Sequence, residues 1–395
     1  MRVAIITESF LPRTDGVVRT VVEFLRYLRT HDQQALVFAA GPGPETAEGF
    51  AVIRVRGPRF PLYPALTIAP FSTRMLGMLR VWRPDVVHLA SPFVLGVQGR
   101  WTGQALGVPV AAHYQTDVAR YAQHFRMGLL AGAARRHLVK LHNACTVTYA
   151  PTPSVCADLI AQGIRNVHVL GRGVDGDLFR PERRSPALRR TLLRDGEQTL
   201  FLYVGRLSKE KNLESLAPML AALPGVRLIC VGEGPYRATL EQAFRGLRAT
   251  FVGIKHGEEL ATIYASADVF VFPSLTETFG QVVQEAMASG LPVLAYRAGG
   301  VQDLLRDGWE GYLCPPGDSG RWRETARLLA TDSWLRDRLG AHARQSAAAR
   351  TWDAIFARLL GEYDALIRHT PRSRANDASS PETNASSLEV ASPIQ

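Results

Sequence analysis

Short runs of β-branched and other apolar residues alternate with stretches of helical periodicity along most of this chain. The first series of predicted strands is Val3–Thr7, Ala35–Ala39, Val86–Leu89, Val108–His113 and Cys145–Ala150. The second series is Thr199–Val204, Val226–Val231, Ala249–Val252, Val269–Phe272 and Pro292–Ala295. Strands that alternate with helices in this way favour parallel sheets covered by helices on both faces. The sequence therefore predicts an α/β protein with two doubly wound, Rossmann-like domains.

The length of the chain and a connector between the two series of strands also indicate two domains. At about 100–200 residues per domain, two cores fit within the 395 residues. A connector rich in Gly, Asp and Pro, at 171–181, separates the two series of strands. We place the domains at 1–174 and 175–350, followed by a helix at 351–368. Beyond it, a shift to Ser, Pro, Ala, Asn and Thr predicts a disordered tail at 369–395.

The composition predicts a soluble protein. No apolar run approaches the roughly 18 residues that a membrane span needs. The N-terminus passes straight into the first predicted strand, so we expect no signal peptide and a cytoplasmic location. The cysteines lack the spacing of a zinc site and are expected to be buried thiols: Cys145, Cys156, Cys230 and Cys314. We expect no bound cofactor and no metal.

The positive charge is concentrated in the first half of the chain. The formal net charge is +10. Residues 1–170 carry 18 Lys and Arg against 9 Asp and Glu, whereas residues 171–395 carry 28 against 27. No zinc-finger, RNA-recognition or basic-zipper pattern accompanies the charge, so nucleic acid is not an expected partner. A phosphorylated ligand or an anionic membrane surface fits better.

A pair of glutamates follows the predicted strand Val269–Phe272. Glu277 and Glu285 stand in the run 273–293, in which a loop leads into a helix predicted to begin near Thr278. The N-terminus of a helix presents free backbone N–H groups and the positive end of its dipole. The surroundings of this pair therefore suit sugar hydroxyls or phosphate.

Two cations follow another predicted strand. Thr199–Val204 is followed directly by Gly205 and Arg206, with Lys211 a few residues later. Arginine binds phosphate oxygens through its planar fork, and lysine acts as a point charge. This pair predicts a site for a diphosphate leaving group.

Two further loops belong to the first series of strands. Asp15 and Gly16 stand between the first predicted strand and a helix predicted over Val17–Arg29, and a glycine there allows close approach of a ligand to the backbone. His113 ends the strand Val108–His113. In parallel sheets the carboxyl ends of the strands line the ligand crevice, so both loops are expected at the cleft.

Taken in order, these segments resemble the family-four retaining glycosyltransferases, which have the two-domain GT-B fold. The resemblance runs from Met1 to about Arg368 and is strongest to bacterial GDP-mannose-dependent α-mannosyltransferases of glycolipid assembly. It rests on the Gly16 loop, His113, Gly205-Arg206 with Lys211-Asn212, the turn at 232–235, and the glutamates separated by seven residues. In this fold the helix at 351–368 would cross back to the first domain.

The resemblance implies roles for individual residues. Arg206 and Lys211 would hold the diphosphate, Glu277 the transferred sugar and Glu285 the ribose, with His113 near the reaction centre. The expected catalytic residues are His113, Arg206, Lys211 and Glu277. The remaining expected donor contacts are Gly16, Val17, Gly205, Gly253, Ile254, Lys255, Thr278, Phe279, Gly280 and Glu285. The expected residues on the acceptor side are Asp15, Tyr114, Thr116 and Asp117.

The basic first half predicts a lipid-linked acceptor that is reached by peripheral docking on the inner face of the cell membrane. Four basic residues stand among apolar ones at mixed helical spacing: Arg126, Arg135, Arg136 and Lys140. Such a segment fits binding at a membrane interface, and it also fits an ordinary amphipathic helix.

Several alternatives remain open from the sequence alone. They are a UDP-sugar-dependent transferase, a phosphorylase or epimerase of the same fold, and a non-catalytic protein that binds membrane surfaces. An NAD dehydrogenase is disfavoured because Arg237 stands where the dinucleotide fingerprint needs its third glycine. We interpret Asp175 and Asp177, a possible metal-binding pair, as a structural turn.

Overall fold

The computed structural model describes residues 1–13, 15–60, 63–67, 70–90, 92–115, 128–194 and 196–370. Within these residues the first series of strands is β1 (Arg2–Thr7), β2 (Gln34–Ala40), β3 (Thr46–Ala47), β4 (Phe50–Val55), β5 (Arg59–Phe60), β6 (Tyr63–Thr67), β7 (Val86–Leu89), β8 (Val110–His113), β9 (Val147–Ala150) and β10 (Val167–Val169). Strands β5 and β6 form an antiparallel pair. The others form one sheet in the order β10-β9-β8-β7-β1-β2-β4-β3, in which β3 is the antiparallel edge strand.

The second series of strands forms a separate, wholly parallel sheet. Its members are β11 (Thr199–Val204), β12 (Val226–Val231), β13 (Ala249–Phe251), β14 (Val269–Phe272), β15 (Val293–Tyr296) and β16 (Gly311–Cys314). Their order is β13-β12-β11-β14-β15-β16. In each sheet the strand order reverses direction beside the first strand, which opens a crevice at the carboxyl ends. The predicted pair of doubly wound sheets is therefore confirmed.

Helices connect the strands, as parallel pairing requires. In the first half they are α1 (Gly16–Thr30), α2 (Arg74–Trp82), α3 (Val94–Leu106), α4 (Gly128–Asn143) and α5 (Pro153–Ala161). In the second half they are α6 (Pro186–Leu192), α7 (Ala217–Ala221), α8 (Arg237–Ala243), α9 (Gly257–Ser266), α10 (Gln281–Ala288), α11 (Ser319–Thr331), α12 (Ser333–Ala348) and α13 (Trp352–His369). Short 3₁₀ turns lie at Pro181–Arg183, Lys209–Lys211, Leu213–Leu216 and Gly299–Asp303.

The fully buried strands are the ones that the sequence predicts best. β7, β11, β12 and β14 have the predicted bounds. β8 begins at Val110 rather than Val108, because Pro109 has no amide hydrogen to donate. β4 and β10 were not predicted; most of their residues are half-exposed, so they lack a continuous apolar run. β16 was also missed, because its sequence Gly-Tyr-Leu-Cys begins with glycine and contains no β-branched residue.

The last helix packs against the first sheet. Trp352, Phe356, Leu359 and Tyr363 of α13 share one apolar cluster with residues of β1, β7 and α1. The connector lies against the start of this helix, where Val174 donates its N–H to the carbonyl of Arg350 at 2.9 Å. The chain thus returns from the second sheet to the first. From residue 371 onward the predicted tail lies outside the described residues.

Two expectations from composition can be compared with the structure. Among the described residues no helix is long and apolar enough to cross a bilayer. All the cysteines are free thiols; Cys145, Cys230 and Cys314 are buried as predicted, whereas Cys156 is half-buried.

Candidate active site

Three glycines align the strand ends beside the predicted diphosphate site. Gly205 after β11 donates its N–H to the carbonyl of Val231 at 3.0 Å, and Gly232 after β12 donates to Gly253 at 2.8 Å. A Cβ on Gly232 would lie 2.0 Å from the carbonyl oxygen of Gly205. The close packing of these turns therefore requires glycine at position 232.

The loop after β11 brings Lys211 to the acidic loop after β14. The hydroxyl of Tyr203 donates to the backbone carbonyl of Arg206 at 3.1 Å, which fixes the turn, and the Arg206 side chain is exposed. Lys211 ends a 3₁₀ turn and donates from Nζ to Glu277. The structure thus joins a predicted phosphate-binding cation to the predicted sugar-binding carboxylate.

The helix after Glu277 begins later than predicted. The sequence places its start near Thr278, but α10 starts at Gln281, and Gly280 before it has a φ of +94°. Because this left-handed conformation interrupts the helix, Glu277 lies in a loop. Its side chain is 19% exposed and accepts a hydrogen bond from the Ser274 hydroxyl at 3.2 Å. The carboxylate is therefore accessible beside the helix N-terminus.

Two glycines that the sequence interpretation missed support this loop. Gly300 donates its N–H to the carbonyl of Glu277 at 2.8 Å. A Cβ on Gly299 would lie 2.3 Å from the carbonyl oxygen of Glu277, and one on Gly300 would lie 2.2 Å from that of Thr278. Only glycines allow the 3₁₀ turn Gly299–Asp303 to press against this backbone.

Glu285 is paired across the cleft. It lies on the inner side of α10 with 2% of its side chain exposed, and Arg19 of α1 forms an ion pair with it. The Tyr264 hydroxyl donates to the other carboxylate oxygen at 3.1 Å. Burial and the Glu285 charge raise the pKa of Tyr264 well above its ordinary value. The predicted ribose ligand is therefore held by one residue from each half of the chain.

Further hydrogen bonds join the loop and helix α10 to the first half of the chain. Thr278 donates from its hydroxyl to the Gln115 carbonyl at 3.2 Å. The side-chain amides of Gln281 and Gln284 donate to the carbonyls of Gly173 and Arg172, each at 2.9 Å. These contacts hold the connector against α10, the helix that carries Glu285.

Arg172 is a buried cation in the cleft that the sequence interpretation did not identify. Its Nη2 donates to the Gln115 side chain at 3.0 Å, and its guanidinium lies 5.7 Å from the centre of the Phe279 ring. Burial lowers the pKa of Arg172 to about 10, so it remains a cation at neutral pH. Together with His113 and Trp352 it lines a small crevice.

The Gly16 loop is closed by Asp15. Oδ1 of Asp15 accepts hydrogen bonds from the amides of Val17 and Val18, both at 2.9 Å, and so caps α1. A Cβ on Gly16 would lie 3.1 Å from Nη1 of Arg172. The glycine permits this approach, and the Val17 amide is already satisfied by Asp15.

His113 lies in a buried polar network. Its Nε2 is 3.2 Å from the Tyr363 hydroxyl, and its ring stacks on His88 with 4.1 Å between centroids. Burial lowers the pKa of His113 well below its ordinary value, so its ring is neutral at physiological pH. Of the expected acceptor-side residues, Tyr114 is buried after β8. Thr116 and Asp117 lie outside the described residues.

The segment Gly253–Lys255 follows β13 at the far edge of the second sheet. The Ile254 side chain is 57% exposed, and Lys255 pairs with Glu259 at 2.5 Å. The backbone carbonyl of Gly253 is used by Gly232. Exposed apolar surface next to polar backbone suits the flat face of a nucleotide base.

The basic segment forms helix α4. Arg135, Arg136 and Lys140 are exposed, whereas Leu138 is buried. Arg126 lies outside the described residues. The three described cations therefore form an exposed basic surface on the helix, whereas Leu138 and Leu141 pack inward.

The structure supports a structural role for the connector aspartates. Asp175 accepts hydrogen bonds from the backbone N–H groups of Asp177 at 3.1 Å and Leu178 at 2.8 Å. A cluster of three or more His, Cys, Asp or Glu residues able to hold a metal is not found in the part of the chain that the structure describes.

Two family models match the chain in succession. The model described as Glycosyltransferase Family 4 matches residues 14–178. The model described as Glycosyl transferases group 1 matches residues 185–346. The first contains the Gly16 loop and His113, and the second contains Arg206, Lys211 and both glutamates.

Curated proteins and solved structures agree with these matches. A GDP-mannose-dependent alpha-mannosyltransferase of Mycobacterium tuberculosis is 43% identical over 373 residues, which cover 93% of this chain and 97% of that protein. Sulfoquinovosyl transferase SQD2 of Arabidopsis thaliana is 34% identical over 377 residues, which cover 93% of this chain and 74% of that protein. The crystal structure of Anabaena Alr3699/HepE with UDP superposes with a TM-score of 0.77 at 22% identity, covering 92% and 100% of the two chains.

Proposed function

Because the chain belongs to glycosyltransferase family 4 and is a glycosyltransferase, we propose that it transfers mannose from GDP-mannose to a lipid-linked or glycolipid acceptor. The observation that carries this proposal is the pairing of Lys211 with Glu277 at the mouth of α10. It brings a phosphate-binding cation and a hydroxyl-binding carboxylate within one site. The 43% identity to a GDP-mannose-dependent enzyme over 93% of the chain supports guanine and mannose as base and sugar.

The reaction cleaves the bond between the anomeric carbon and the diphosphate oxygen and forms a bond from that carbon to the acceptor's hydroxyl oxygen, whose proton leaves with the diphosphate, and the configuration is retained. Negative charge develops on the leaving phosphate in an oxocarbenium-like transition state. Arg206 and Lys211 would stabilise that charge, because Arg206 follows β11 directly and the 3₁₀ turn that ends at Lys211 brings its Nζ to the sugar-binding loop. Charge stabilisation by these two side chains fits a reaction that needs no metal.

The carboxylates and His113 would orient the sugar and ribose. Glu277, beside the free N–H groups of α10, would accept hydrogen bonds from the mannose hydroxyls. Glu285 would accept from the ribose hydroxyls, and the Gly253–Lys255 segment would contact the base. His113, kept neutral by burial, would contact the sugar as an uncharged hydrogen-bonding group.

Each half of the chain would bind one of the two substrates. Residues 175–350 would bind the donor, since they carry both cations and both glutamates. Residues 1–174 would bind the acceptor, and α13 joins the two by packing on the first sheet. The exposed Arg135, Arg136 and Lys140 of α4 support docking on an anionic membrane surface.

Thermal-shift measurements with GDP, UDP and ADP test the donor assignment on the full chain. A ligand at 100 times its dissociation constant stabilises a protein by about 2.7 kcal/mol. We expect GDP to raise the melting temperature most. A larger shift with UDP would instead favour a UDP-sugar donor, equal shifts would contradict selection of guanine, and no shift with any of the three would contradict a nucleotide-sugar site.

A further inference from the structure

Two ion pairs in the cleft share one pattern. Lys211 pairs with Glu277, and Arg19 pairs with Glu285. In both, the anion is a carboxylate expected to bind hydroxyl groups of the donor. In the first pair the cation is an expected ligand of the diphosphate. Arg19 occupies the corresponding position in the second pair, and neither the sequence interpretation nor the comparisons give it a role.

The position of Arg19 makes it accessible from the cleft. It lies in the first turn of α1, directly after the Gly16 loop, and its side chain reaches α10 on the opposite half of the chain. Its guanidinium also lies 5.8 Å from the centre of the Phe179 ring, and a third of the side chain is exposed. Phe179 and Glu285 hold this cation at the mouth of the site rather than deep within a core.

The covalent structure of a nucleoside diphosphate links the two partners of this pair. The ribose is joined through its 5′ oxygen directly to the α-phosphate. A ribose that takes the Glu285 oxygens therefore brings a phosphate within a few bonds of the place where Arg19 now donates. The Arg19 side chain is a third exposed, so phosphate oxygens that arrive beside it can take its guanidinium N–H groups in charge-assisted hydrogen bonds, while the ribose hydroxyls donate to the buried Glu285 carboxylate in its place.

We propose that Arg19 is a further ligand of the donor's diphosphate, contributed by the first half of the chain, and that it exchanges Glu285 for phosphate when the donor binds. The inference rests on the proposed function, because it requires a nucleoside diphosphate ligand. It assigns Arg19 two partners: Glu285 in the free protein and the phosphate oxygens in the complex.

If this exchange takes place, removing Arg19 affects the binding of two ligands differently, although both contain the same base and ribose. GDP replaces the lost carboxylate with phosphate. Guanosine also competes for Glu285 but offers Arg19 no anion. Removing Arg19 therefore weakens the binding of GDP and leaves that of guanosine unchanged or tighter.

The experiment compares Arg19→Met with Arg29→Met in the full-length protein. Arg29 is a matched control, because it lies on the same helix, is exposed, and is far from the cleft contacts of Arg19. GDP affinity is measured by calorimetric titration and guanosine affinity by ligand-observed NMR. We expect Arg19→Met to weaken GDP binding at least tenfold without weakening guanosine binding, and Arg29→Met to change neither.

The other possible outcomes contradict either the role of Arg19 or the assignment of the donor. Unchanged or tighter GDP binding by Arg19→Met overturns the phosphate role, and an equal loss for GDP and guanosine shows that Arg19 only holds the two halves together. If the wild-type protein prefers UDP, the donor assignment fails while UDP and uridine test Arg19 in the same way. If it binds no nucleoside diphosphate, both proposals fail.

Discussion

The hydroxyl of Tyr363, on the last helix, lies 3.2 Å from Nε2 of His113 at the end of β8. The same hydroxyl lies 2.7 Å from Nδ1 of His88. A hydroxyl has a single proton, so it donates to one ring and accepts from the other. The shorter distance fits O–H donation to His88, with the His113 ring donating in return. The helix that returns from the second sheet thus orients the expected active-site histidine.

This network predicts a specific loss of stability in acid. Burial lowers the pKa of His88 to about 3, so the folded protein keeps this ring neutral while the unfolded chain protonates it below about pH 6.5. The stability contributed by the neutral ring is complete above that pH and is lost as the pH falls towards the folded pKa. Between about pH 8 and pH 5 this amounts to about 2 kcal/mol.

Urea unfolding of the wild type and His88→Gln measures this contribution. We expect the difference in free energy of unfolding between them to shrink by about 2 kcal/mol from pH 8 to pH 5. Burial raises the pKa of Glu8 to about 7, so Glu8 contributes with the opposite sign, but it is present in both proteins and cancels. A difference that stays constant with pH would contradict a buried neutral His88.

Removing either cation after β11 is expected to slow turnover. Arg206→Ala or Lys211→Ala should lower kcat by about 100-fold, or about 2.7 kcal/mol, because charge on the leaving phosphate loses a preorganised partner. Lys209→Ala is the matched control, since Lys209 is an exposed cation in the same 3₁₀ turn as Lys211. Wild-type turnover in both active-site variants would remove the diphosphate role.

A methyl group on Gly300 should disable the site by displacing the loop that carries Glu277. The Cβ of Gly300→Ala would lie 2.2 Å from the carbonyl oxygen of Thr278, so the loop that carries Glu277 must move. We expect activity to fall at least tenfold while the circular dichroism spectrum is retained. Gly225→Ala, whose Cβ would meet no atom within 4 Å, should be silent. Full activity in Gly300→Ala would show that the loop tolerates displacement.

The basic surface of α4 is expected to bind anionic bilayers. Each Lys or Arg near such a surface contributes about 1 kcal/mol, so replacing Arg135, Arg136 and Lys140 together by Gln should weaken vesicle binding by about a hundredfold. Sedimentation with neutral and anionic liposomes measures this binding, and added salt should reduce it. Equal partitioning to both kinds of liposome, or none to either, would favour a soluble acceptor.

The sequence predicted the parts of the fold and site that depend on local patterns. Fully buried strands such as β11 and β14 appear as continuous apolar runs, so the residues that follow them, including Arg206 and Glu277, could be placed at strand ends. That placement needs only the strand periodicity and the direction of parallel strands. The meeting of Lys211 with Glu277 was not predicted, because it depends on β11 and β14 being neighbours in the sheet, which the structure shows.

The parts that were missed depend on contacts between distant segments. Arg19 meets Glu285 across 266 positions, and nothing in the helix pattern of α1 distinguishes it from its other arginines. Arg172 belongs to a connector that was interpreted as a linker, although its side chain enters the cleft. In the sequence Gly299 and Gly300 resemble an ordinary turn. Only the structure shows that the Glu277 backbone packs against them.

Metal-independent, retaining transfer of mannose can be measured by incubating the full-length protein with GDP-[¹³C]mannose and anionic glycolipid vesicles in the presence of EDTA. We expect transfer of labelled mannose to lipid, release of GDP and an α-configured product by NMR. Loss of transfer in EDTA with recovery on adding magnesium or manganese, or a β-configured product, would contradict the metal-independent, retaining mechanism. Transfer from UDP-sugars but not from GDP-mannose would contradict the donor.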